Sequence, residues 1–525
     1  MLSLNHHRIE LRLPYSASNV EKCKSIDGGR WDKMSACWWW PSTPAYAFKI
    51  ANTFHGEGFE PSSIRSTHAS LSIGDLIDNY DRPNLYATKR DGQWSHQANG
   101  VEWLRKRPYV ALHWEMGTGK TRAILDHVAE SKADRVLVVC PKSVIQVWLE
   151  QIAKHAPGLT SLALTKGDAK KKANLVNKSQ CQIVIVNYES YWLAPLAKEF
   201  LSIEWDLVVY DEAHKLKTPM GKASRFAARL RKRTKQVALL SGTMLPHSPL
   251  DAFAIYRAMD PGIFGPSYTR FRSRHAVTNP MFPSQVKQWI NQDEMKEKLA
   301  RCTYRVTKEE VLDLPDVMHE RVPITLPPNA QPVYDRVAKV FWADVRGGRI
   351  VASNALAQLL RLQQLTSGVA VTEDGTKVRL HSAKALALSE IIDGLPTDEP
   401  IVTFSRFHVD LDAVSLACDN LDRPCRELSG RCNGYALWKS ERGGEVLNAQ
   451  IQAGGVGVDL SRARYCIYIS LGFSLADYEQ SLARLHRAGQ GRKVIYYHLV
   501  ATNTVDGKVY KALRERKKVI EAVLS

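Results

Sequence analysis

The sequence predicts an α/β protein with two parallel-sheet lobes in tandem, preceded by a small N-terminal α+β module. Two series of short apolar runs, each interleaved with helical patterns, predict the lobes. The first sixty residues differ in composition and predict the module. With 525 residues, of which 44% are hydrophobic, the chain is long enough for about two or three domains.

The first series of runs predicts a lobe over residues 85–318. Its members are rich in Val and Ile: RPYVALHW, DRVLVVCP, QIVIVNY, DLVVYDEAH and QVALLSGT. Continuous apolar runs of this length are typical of strands that are buried on both faces. Because helical patterns separate them, we expect a parallel sheet covered by helices.

The second series predicts a second lobe over residues 319–525. Its runs are PIVTFS, EVLNAQ, YCIYISL and KVIYYHLV, again with helical patterns between them. Residues 246–320 are richer in Pro and aromatic residues, and residues 330–368 have helical spacing. We therefore place the boundary between the lobes near 315–325.

The predicted module covers residues 1–60, and residues 61–84 are predicted to be a linker. The stretch WDKMSACWWWP contains four of the thirteen tryptophans. Such a cluster can form the core of a small fold, or it can stack on unpaired bases without sequence preference. The sequence leaves both uses open.

Composition limits the classes of partner. Lys and Arg number 72 against 54 Asp and Glu, a formal charge of +18, which favours a polyanionic partner, although a basic enzyme without such a partner stays possible. None of the nine cysteines forms a C-x-x-C pair, as expected of a reduced intracellular protein. The chain shows neither a secretory leader nor a run of about 18 apolar residues, so we expect no membrane association.

A phosphate-binding loop is predicted at GTGKT, residues 117–121. It follows a predicted strand and precedes a predicted helix, where backbone N–H groups can hold phosphates. Lys120 would then reach the β- and γ-phosphates, and Thr121 would bind Mg²⁺. A tight turn is the alternative, and Trp114 stands where such loops usually have their first glycine.

Two further motifs supply the remaining chemistry of phosphate hydrolysis. DLVVYDEAH delivers Asp211 and Glu212 to a strand's C-terminal end, where Asp211 can hold Mg²⁺ and Glu212 can orient and deprotonate water. QSLARLHRAGQ offers Arg484 and Arg487, predicted one helical turn apart, as arginine fingers. Taken alone, each pair is more typical of a solvated surface.

The motifs from about residue 85 to 510 resemble those of superfamily 2 helicases, and within them the Swi/Snf-type DNA translocases. Besides EMGTGKT and DEAH, the similar segments are HQANGVEWL, VLVVCPKSVIQVW, IVIVNYES, LLSGTMLP, IVTFSRF, QAGGVGVDLSRA and QSLARLHRAGQ. RVTKEEVLDLP is similar to the family's arginine-lysine segment, with Arg305 retained and Val306 where a second arginine is common. The resemblance implies two RecA-like lobes that hydrolyse ATP with Mg²⁺.

The resemblance also implies roles for individual residues. Gln97 would read the adenine edge, and Ser241 and Thr243 would couple nucleotide state to lobe movement. The remaining nucleotide-binding candidates are Met116, Gly117, Thr118, Gly119, Lys120, Thr121, Gly457, Asp459 and Gln480. The candidates for contact with DNA phosphates are Lys142, Ser143, Asn187, Ser405, Arg406 and Ser461, each expected just after a strand.

The N-terminal module resembles the HARP-type domain of annealing helicases through Tyr15, Lys24, Ile26, Arg30, Trp31, Asp32, Trp38 and Pro41. The resemblance implies a monomeric ATP-dependent translocase on duplex, forked or branched DNA, acting in DNA repair or replication by strand annealing or branch migration. It would work in the nucleus, in the cytoplasm with the nucleoid, or in a host cell. A strand-separating DNA or RNA helicase and a non-hydrolysing DNA-binding scaffold are the alternatives.

Overall fold

The computed structural model describes residues 2–5, 8–55, 77, 93–281, 285–346, 348–454 and 458–524. The predicted linker, apart from residue 77, and Gly457 therefore lie outside the described residues. The chain divides into two compact units, which we call unit 1 (residues 1–311 with 519–525) and unit 2 (residues 312–518). Within the described part of the chain, every helix is too short or too polar to serve as a membrane span.

Unit 1 contains a seven-stranded sheet whose paired strands are all parallel. The five strands predicted from apolar runs are all present in it. Short strands at the two edges, Thr303–Val306 and Ser161–Ala163, are additions that the sequence did not indicate. In sheet order the strands are Thr303–Val306, Tyr109–Trp114, Thr234–Leu240, Trp205–Asp211, Val136–Cys140, Ile183–Asn187 and Ser161–Ala163.

Helices connect these strands and cover the sheet. The helices Ser95–Lys106, Lys120–Ser131 and Ile145–His155 pack on the central strands. Together they form the main core of the unit, in which Leu125, Val138 and Trp148 are fully buried. The helices are Ser95–Lys106, Lys120–Ser131, Ile145–His155, Ala169–Lys178, Leu196–Ser202, Lys222–Leu230, Asp251–Arg257, Tyr268–His275, Gln292–Ala300 and Lys308–Val311. A separate antiparallel pair joins Ala276–Thr278 to Val286–Trp289.

The N-terminal module, residues 2–55, is a four-stranded antiparallel sheet with two helices. The strands lie in the order Leu2–Asn5, Arg8–Leu11, Cys37–Pro41 and Arg30–Asp32, and the helices are Ala17–Ser25 and Pro44–Thr53. Trp40 is fully buried in its core together with Ile9 and Leu11. The other three tryptophans of the cluster stay partly or largely exposed.

The module packs directly against the rest of unit 1. The buried Asp260 carboxylate accepts from the backbone N–H of Ala45 at 3.1 Å, in the first turn of the helix Pro44–Thr53. Lys49 donates to the carbonyl of Gly262 at 2.5 Å, and burial lowers the pKa of Lys49 to about 8. Arg270 pairs with Asp27 at 2.5 Å at the rim of this interface. The contact therefore combines a carboxylate that accepts from the first turn of a helix, a lysine bound to a backbone carbonyl and one ion pair.

Unit 2 contains a second sheet, of six parallel strands. All four predicted strands are present, which with the first sheet confirms the predicted fold class. In sheet order the strands are Val317–Ile324, Val494–Ala501, Tyr465–Tyr468, Ile401–Ser405, Val446–Gln450 and Cys425–Leu428. The helices are Gln331–Val340, Ala355–Thr366, Ala383–Asp393, His408–Asn420, Tyr435–Ser440, Ile451–Gly454, Leu475–Leu485 and Val505–Leu524, of which the last has its residues from 519 onward assigned to unit 1.

One helical prediction in unit 2 is wrong in part. The helical pattern from residue 330 was expected to continue to residue 345, but the helix ends at Val340. Phe341 adopts a left-handed conformation, with φ at 68°, and Trp342–Val345 pairs as a strand with Gly348–Val351. The guanidinium carbons of Arg336 and Arg349 lie 4.0 and 4.7 Å from the Trp342 ring, contacts that favour the hairpin.

Candidate functional site

Three of the predicted motifs of unit 1 lie at one edge of its sheet. Because the strands are parallel, their C-terminal ends share that edge, where open α/β sheets bind ligands. The phosphate loop follows Tyr109–Trp114, the pair Asp211 and Glu212 ends Trp205–Asp211, and Ser241 follows Thr234–Leu240. The fold therefore brings the predicted nucleotide residues of this unit together.

The phosphate loop has the backbone that its glycines allow. Gly117 and Gly119 have φ values of 86° and 84°, which side chains other than glycine rarely adopt. A Cβ on Gly119 would also lie 2.0 Å from Nε2 of Gln97. Gly119 is the N-cap of the helix Lys120–Ser131, so the free N–H groups of that helix begin at the loop. The loop thus fits a bound phosphate chain.

Lys120 lies across the loop. Its ammonium group donates to the carbonyl of Trp114 at 2.8 Å and to that of Glu115 at 3.2 Å. The hydroxyl of Thr118 donates to the Glu115 carbonyl at 2.7 Å, which braces the same turn. Thr121, in the first turn of the helix, is partly exposed. A cation and a hydroxyl therefore follow one another at the C-terminal end of the loop.

Trp114 does not enter the loop. Its indole is fully buried and packs in the core with Val110 and Leu112. The Tyr304 ring meets it edge-on at 5.6 Å, and an ideal Cβ on Gly100 would lie 2.5 Å from its ring. Phosphate loops usually have a glycine at the position of Trp114. In this chain Trp114 is instead the last residue of the strand Tyr109–Trp114 and is part of the core.

Asp211 is buried at the end of its strand. The Trp148 indole N–H donates to its Oδ2 at 2.9 Å, and the Glu212 backbone N–H donates to its Oδ1 at 3.0 Å. Burial, followed by the neighbouring Glu212 charge, raises the pKa of Asp211 to about 6, while Lys120 opposes the shift. Carboxylate and hydroxyl oxygens are ligands that Mg²⁺ prefers, so the donor atoms of Asp211 and Thr121 fit that ion by their chemistry.

Glu212 begins a chain of contacts to the neighbouring strand. Its backbone is left-handed, with φ at 52°, and its Oε2 lies 3.3 Å from Nδ1 of His214. The same His214 nitrogen lies 3.3 Å from the hydroxyl of Ser241, which also accepts from the backbone N–H of Thr243 at 3.1 Å. The predicted coupling residues are thus connected to the predicted base through His214.

Gln97 sits beside the loop, as the resemblance implies. Its Oε1 accepts from the Trp94 backbone N–H at 3.0 Å, and its Nε2 lies 3.4 Å from the Thr118 carbonyl. A ring nitrogen of His96 lies 2.7 Å from the same carbonyl. Met116, also predicted at the site, is buried against the turn at Gly242. His96 and Trp94 were missed, and their only sequence signal was their position next to Gln97.

The candidate DNA contacts of unit 1 lie at the same edge but differ in availability. Lys142 and Ser143 are exposed on a short 3₁₀ turn that follows Val136–Cys140. Asn187 ends its strand, but its amide donates to Glu189 at 2.7 Å and its carbonyl accepts from Ser190. Lys142 and Ser143 are therefore the better placed of the three.

Two of the candidates in unit 2 lie at the end of the strand Ile401–Ser405: Ser405 is its last residue and Arg406 follows it. Ser405 is fully buried, so its hydroxyl does not face solvent. Arg406 donates two hydrogen bonds: its backbone N–H donates to the hydroxyl of Ser470 at 2.8 Å, and its guanidinium donates to the side-chain carbonyl of Gln363. Ser470 in turn donates to the buried Asp410 at 2.5 Å. This network fixes Arg406 at the sheet edge.

A second group in unit 2 joins Asp459, Ser461 and Arg487. The hydroxyl of Ser461 donates to Asp459 at 2.8 Å, and Arg487 lies 3.7 Å from the same carboxylate. Arg487, followed by Ser461, lowers the pKa of Asp459 against the opposing effect of burial. The carbonyl of Arg484 accepts from Leu460 at 3.0 Å, which ties the two motifs together.

Two predictions about this group are wrong. Arg484 and Arg487 do not share a helix, because the helix Leu475–Leu485 ends and His486 leaves it with ψ at 87°. Ser461 does not follow a strand but lies in the turn before Tyr465–Tyr468. Gln480 is buried on the helix Leu475–Leu485.

Comparison with known proteins places the chain in a family. Residues 96–369, more than half of the 525, match the SNF2-related domain. The chain belongs to the SNF2-related family. The predicted relationship to Swi/Snf-type proteins of superfamily 2 is thereby confirmed.

Individual relatives are distant. "Uncharacterized ATP-dependent helicase MG018" of Mycoplasma genitalium is 24% identical over 454 residues, covering 82% of this chain and 42% of that protein. "DNA annealing helicase and endonuclease ZRANB3" of Bos taurus is 22% identical over 444 residues, covering 82% of this chain and 40% of that protein. The chain thus spans less than half the length of these two relatives.

Among solved structures, "Sulfolobus solfataricus SWI2/SNF2 ATPase core in complex with dsDNA" has a TM-score of 0.41 and 22% identity. That alignment covers 84% of this chain and 94% of the solved chain.

Proposed function

We propose that this chain is a DNA-dependent ATPase that translocates on double-stranded DNA with forks or branches. The observation that carries the proposal is the convergence of Lys120, Asp211, Glu212 and Ser241 at one sheet edge. A phosphate loop with its lysine, a carboxylate that can hold a metal and a candidate base are parts that phosphoryl transfer to water uses, and Ser241 is the candidate for coupling. Membership of the SNF2-related family supports the same reading.

The residues of unit 1 divide the chemistry among themselves. The loop from Gly117 to Thr121 holds the phosphates, and Lys120 exchanges its bonds with loop carbonyls for phosphate oxygens. Mg²⁺, bound by Thr121 and Asp211, would supply the charge that neutralises the β- and γ-phosphates. Glu212 orients the attacking water and accepts its proton.

Unit 2 would complete the reaction. We propose that Arg484 and Arg487 stabilise the negative charge on the γ-phosphate when the two lobes close around ATP, since this charge is largest in the transition state. Asp459 pairs with Arg487 and keeps its guanidinium in place. The contacts from Glu212 through His214 to Ser241 would report the state of the phosphate and so couple hydrolysis to lobe movement.

Contact with the DNA backbone is assigned to the sheet edges. A translocase cannot depend on base sequence, so it has to hold phosphates through hydroxyls, N–H groups and cations. Lys142 and Ser143 are exposed at the edge of unit 1, and Arg406 is fixed at that of unit 2. The formal charge of +18 supports a polyanionic partner.

The N-terminal module supports the preference for unpaired or branched DNA. Trp39 is flanked on its sheet by Arg8 and Arg30, whose guanidinium carbons lie 5.8 and 5.5 Å from the indole ring. Arg30 is directly opposite Trp39 in the register, so both side chains share one face. An aromatic ring between cations is a surface on which unpaired bases stack. One relative is named a DNA annealing helicase.

ATPase assays with duplex, single-stranded, forked and RNA ligands test the proposal. We expect duplex or forked DNA to stimulate turnover, and we expect Lys120→Ala and Glu212→Gln to abolish it. Glu212→Gln should retain ATP and DNA binding because it preserves shape and removes only the base. Equal turnover of the wild-type protein without nucleic acid would contradict the proposal, and full DNA-remodelling activity of both variants would indicate a scaffold.

A matched pair of lysine variants tests the DNA-contacting edge. Lys142→Ala should lower DNA affinity and weaken its salt dependence by about one counterion. Lys154→Ala is the control, because Lys154 is an exposed lysine at the far end of the helix Ile145–His155. Displacement of a third strand from a triplex, without separation of a duplex, would identify translocation, whereas duplex separation would identify a strand-separating helicase.

A tryptophan pair tests the module. Trp39→Ala should lower stimulation by forked DNA and leave stimulation by plain duplex unchanged. Trp31→Ala is the control, because Trp31 is opposite Trp38 in the register and so lies on the other face of the sheet. Equal effects of the two variants on forked DNA would argue against the Trp39 face.

A further inference from the structure

In one helical segment of unit 1, every exposed residue is a cation. The segment KASRFAARLRKR, residues 222–233, contains no acidic residue. Its buried side packs Phe226 and Leu230 on the sheet, and the Phe226 ring meets the Tyr191 ring at 5.1 Å. The exposed residues are three, four and three positions apart, so each lies about one helical turn from the next. They form what we call the basic stripe: Lys222, Arg225, Arg229 and Lys232.

The chain itself does not neutralise the basic stripe. Within the described residues, the side chains of Arg225, Arg229 and Lys232 make no ion pair and no hydrogen bond. Burial, followed by the charge of Arg225, lowers the pKa of the neighbouring Arg257, so positive charge accumulates on this side of unit 1. Like charges one turn apart destabilise a helix. The basic stripe therefore does not stabilise the helix that carries it.

The basic stripe runs away from the sheet edge that holds the predicted nucleotide residues. Its helix connects the end of the strand Trp205–Asp211 to the start of the strand Thr234–Leu240. At the far end, Arg231 donates to the hydroxyl of Tyr109, the first residue of the next strand of the sheet, at 3.1 Å. A strand of seven residues spans about 20 Å, so Lys232 lies about that far from the C-terminal edge. A duplex that follows the C-terminal edge therefore does not reach Lys232.

The spacing of the charges fits a nucleic-acid backbone. From Lys222 to Lys232 the helical segment rises about 15 Å, and one strand of a duplex carries about four phosphates over that length. The exposed side of this segment has no aromatic or large aliphatic side chain. Protein–protein interfaces usually depend on such side chains as anchors. Four cations without an apolar anchor therefore fit a phosphate backbone better than they fit an acidic protein surface.

We propose that the basic stripe binds the phosphate backbone of a second duplex arm while the sheet edge of unit 1 holds the first arm. This inference rests on the proposed function, because a second arm exists only on forked or branched DNA. Unit 1 then contributes to the recognition of branches together with the N-terminal module. The contact is electrostatic, so it is independent of base sequence and weakens steeply with salt.

Equilibrium binding without nucleotide tests the basic stripe, with a linear duplex and a four-way DNA junction as ligands. Arg225→Gln combined with Arg229→Gln should remove two phosphate contacts to the junction. From about 50 to about 200 mM salt, each phosphate contact costs about threefold in affinity. Over this range the double variant should therefore lose about tenfold less junction affinity than the wild-type protein loses. Its affinity for the linear duplex should stay within about twofold of the wild-type value.

Two matched double variants show whether charge at this place is responsible. Arg225→Lys combined with Arg229→Lys keeps both charges, so it should bind the junction within about twofold of the wild-type protein. Lys154→Gln combined with Lys178→Gln removes the same charge from two exposed lysines of unit 1 outside the basic stripe. This variant should also keep its junction affinity within about twofold.

The outcomes separate the inference from its alternatives. Equal losses on linear duplex and junction would overturn it, because the basic stripe would then belong to the path of the first duplex. Unchanged junction affinity in the double Gln variant would also contradict it, and loss of polyglutamate binding in that variant would assign the basic stripe to an acidic protein instead. These results leave the proposed function standing, because they concern binding alone. The proposed function itself fails when neither DNA ligand stimulates ATP hydrolysis by the wild-type protein.

Discussion

Gly100 is the residue at which one added methyl group should have the clearest cost. It lies inside the helix Ser95–Lys106, where replacement by Ala ordinarily stabilises by up to about 1 kcal/mol. Here the new Cβ would lie 2.5 Å from two ring carbons of Trp114, which is fully buried. Overpacking of a core costs about 1–3 kcal/mol. After the gain in helix propensity is subtracted, we expect Gly100→Ala to lower the free energy of unfolding by up to about 2 kcal/mol.

Urea denaturation, with nucleotide affinity as a second measurement, checks this expectation. Gly507→Ala is the control, since Gly507 lies in the first turn of Val505–Leu524 and a Cβ there would meet no atom within 4 Å. The control should be neutral or stabilising. Trp114→Phe should relieve the clash, so the double variant should be more stable than the sum of the single effects by about 1–2 kcal/mol. A stabilising Gly100→Ala variant would refute the reasoning that Trp114 is fixed against this helix.

Three other predictions concern stability. Burial lowers the pKa of His498 to about 3, so the unfolded chain binds a proton that the folded chain does not between about pH 6.5 and 3. The free energy of unfolding should therefore fall by a few kcal/mol as pH falls through this window. In thermal melts from pH 7 to 4.5, the stability of His498→Gln should depend less steeply on pH than that of the wild-type protein. Equal dependence in the two proteins would exclude His498 as the cause. The Arg423 guanidinium donates to five backbone carbonyls. Arg423→Ala should therefore lower the free energy of unfolding of unit 2 by about 3 kcal/mol or more, and Arg423→Lys should lower it by less. A decrease of less than about 1 kcal/mol in Arg423→Ala would contradict that account. Asp260→Ala should speed hydrogen exchange in the helix Pro44–Thr53, because Ala45 loses its acceptor, whereas unchanged exchange would mean that the module does not depend on this contact.

The central strands were predictable because they are buried on both faces. All residues of the strand Val136–Cys140 are buried and apolar, and its run of Val and Leu separates it from helices and loops. The strands Thr303–Val306 and Ser161–Ala163 were not predicted, because they lie at the edges of the sheet. An edge strand is short and half exposed, so its sequence carries no continuous apolar run.

The candidate site was predictable to the extent that its residues follow strands. The positions of Asp211 and Glu212 followed from the predicted end of one strand, because a parallel sheet brings the C-terminal ends of its strands to one edge. The end of the helix before Arg487 was not predictable, because His486 leaves the helix through a contact with the carbonyl of Pro315, 171 positions away along the chain. Contacts of that range have no signal in local spacing. The same holds for Asp260, whose partner Ala45 lies in a part of the sequence that differs in composition.

Trp114 shows why a motif position and a chemical role have to be separated. In the strand Tyr109–Trp114, Val110, Leu112 and Trp114 belong to one core cluster, while His113 points to the other face. Burial, followed by the charges of Arg305 and Lys120, lowers the pKa of His113 to about 4. Trp114 meets Gly100 instead, on the helix that carries Gln97. The residue at the start of the loop therefore packs against the helix that carries Gln97, and through that helix it affects where Gln97 and Trp94 lie beside Gly119 of the loop. A tryptophan there is compatible with a nucleotide site as long as the facing helix has a glycine, and substitutions at residues 100 and 114 should change base affinity together with stability.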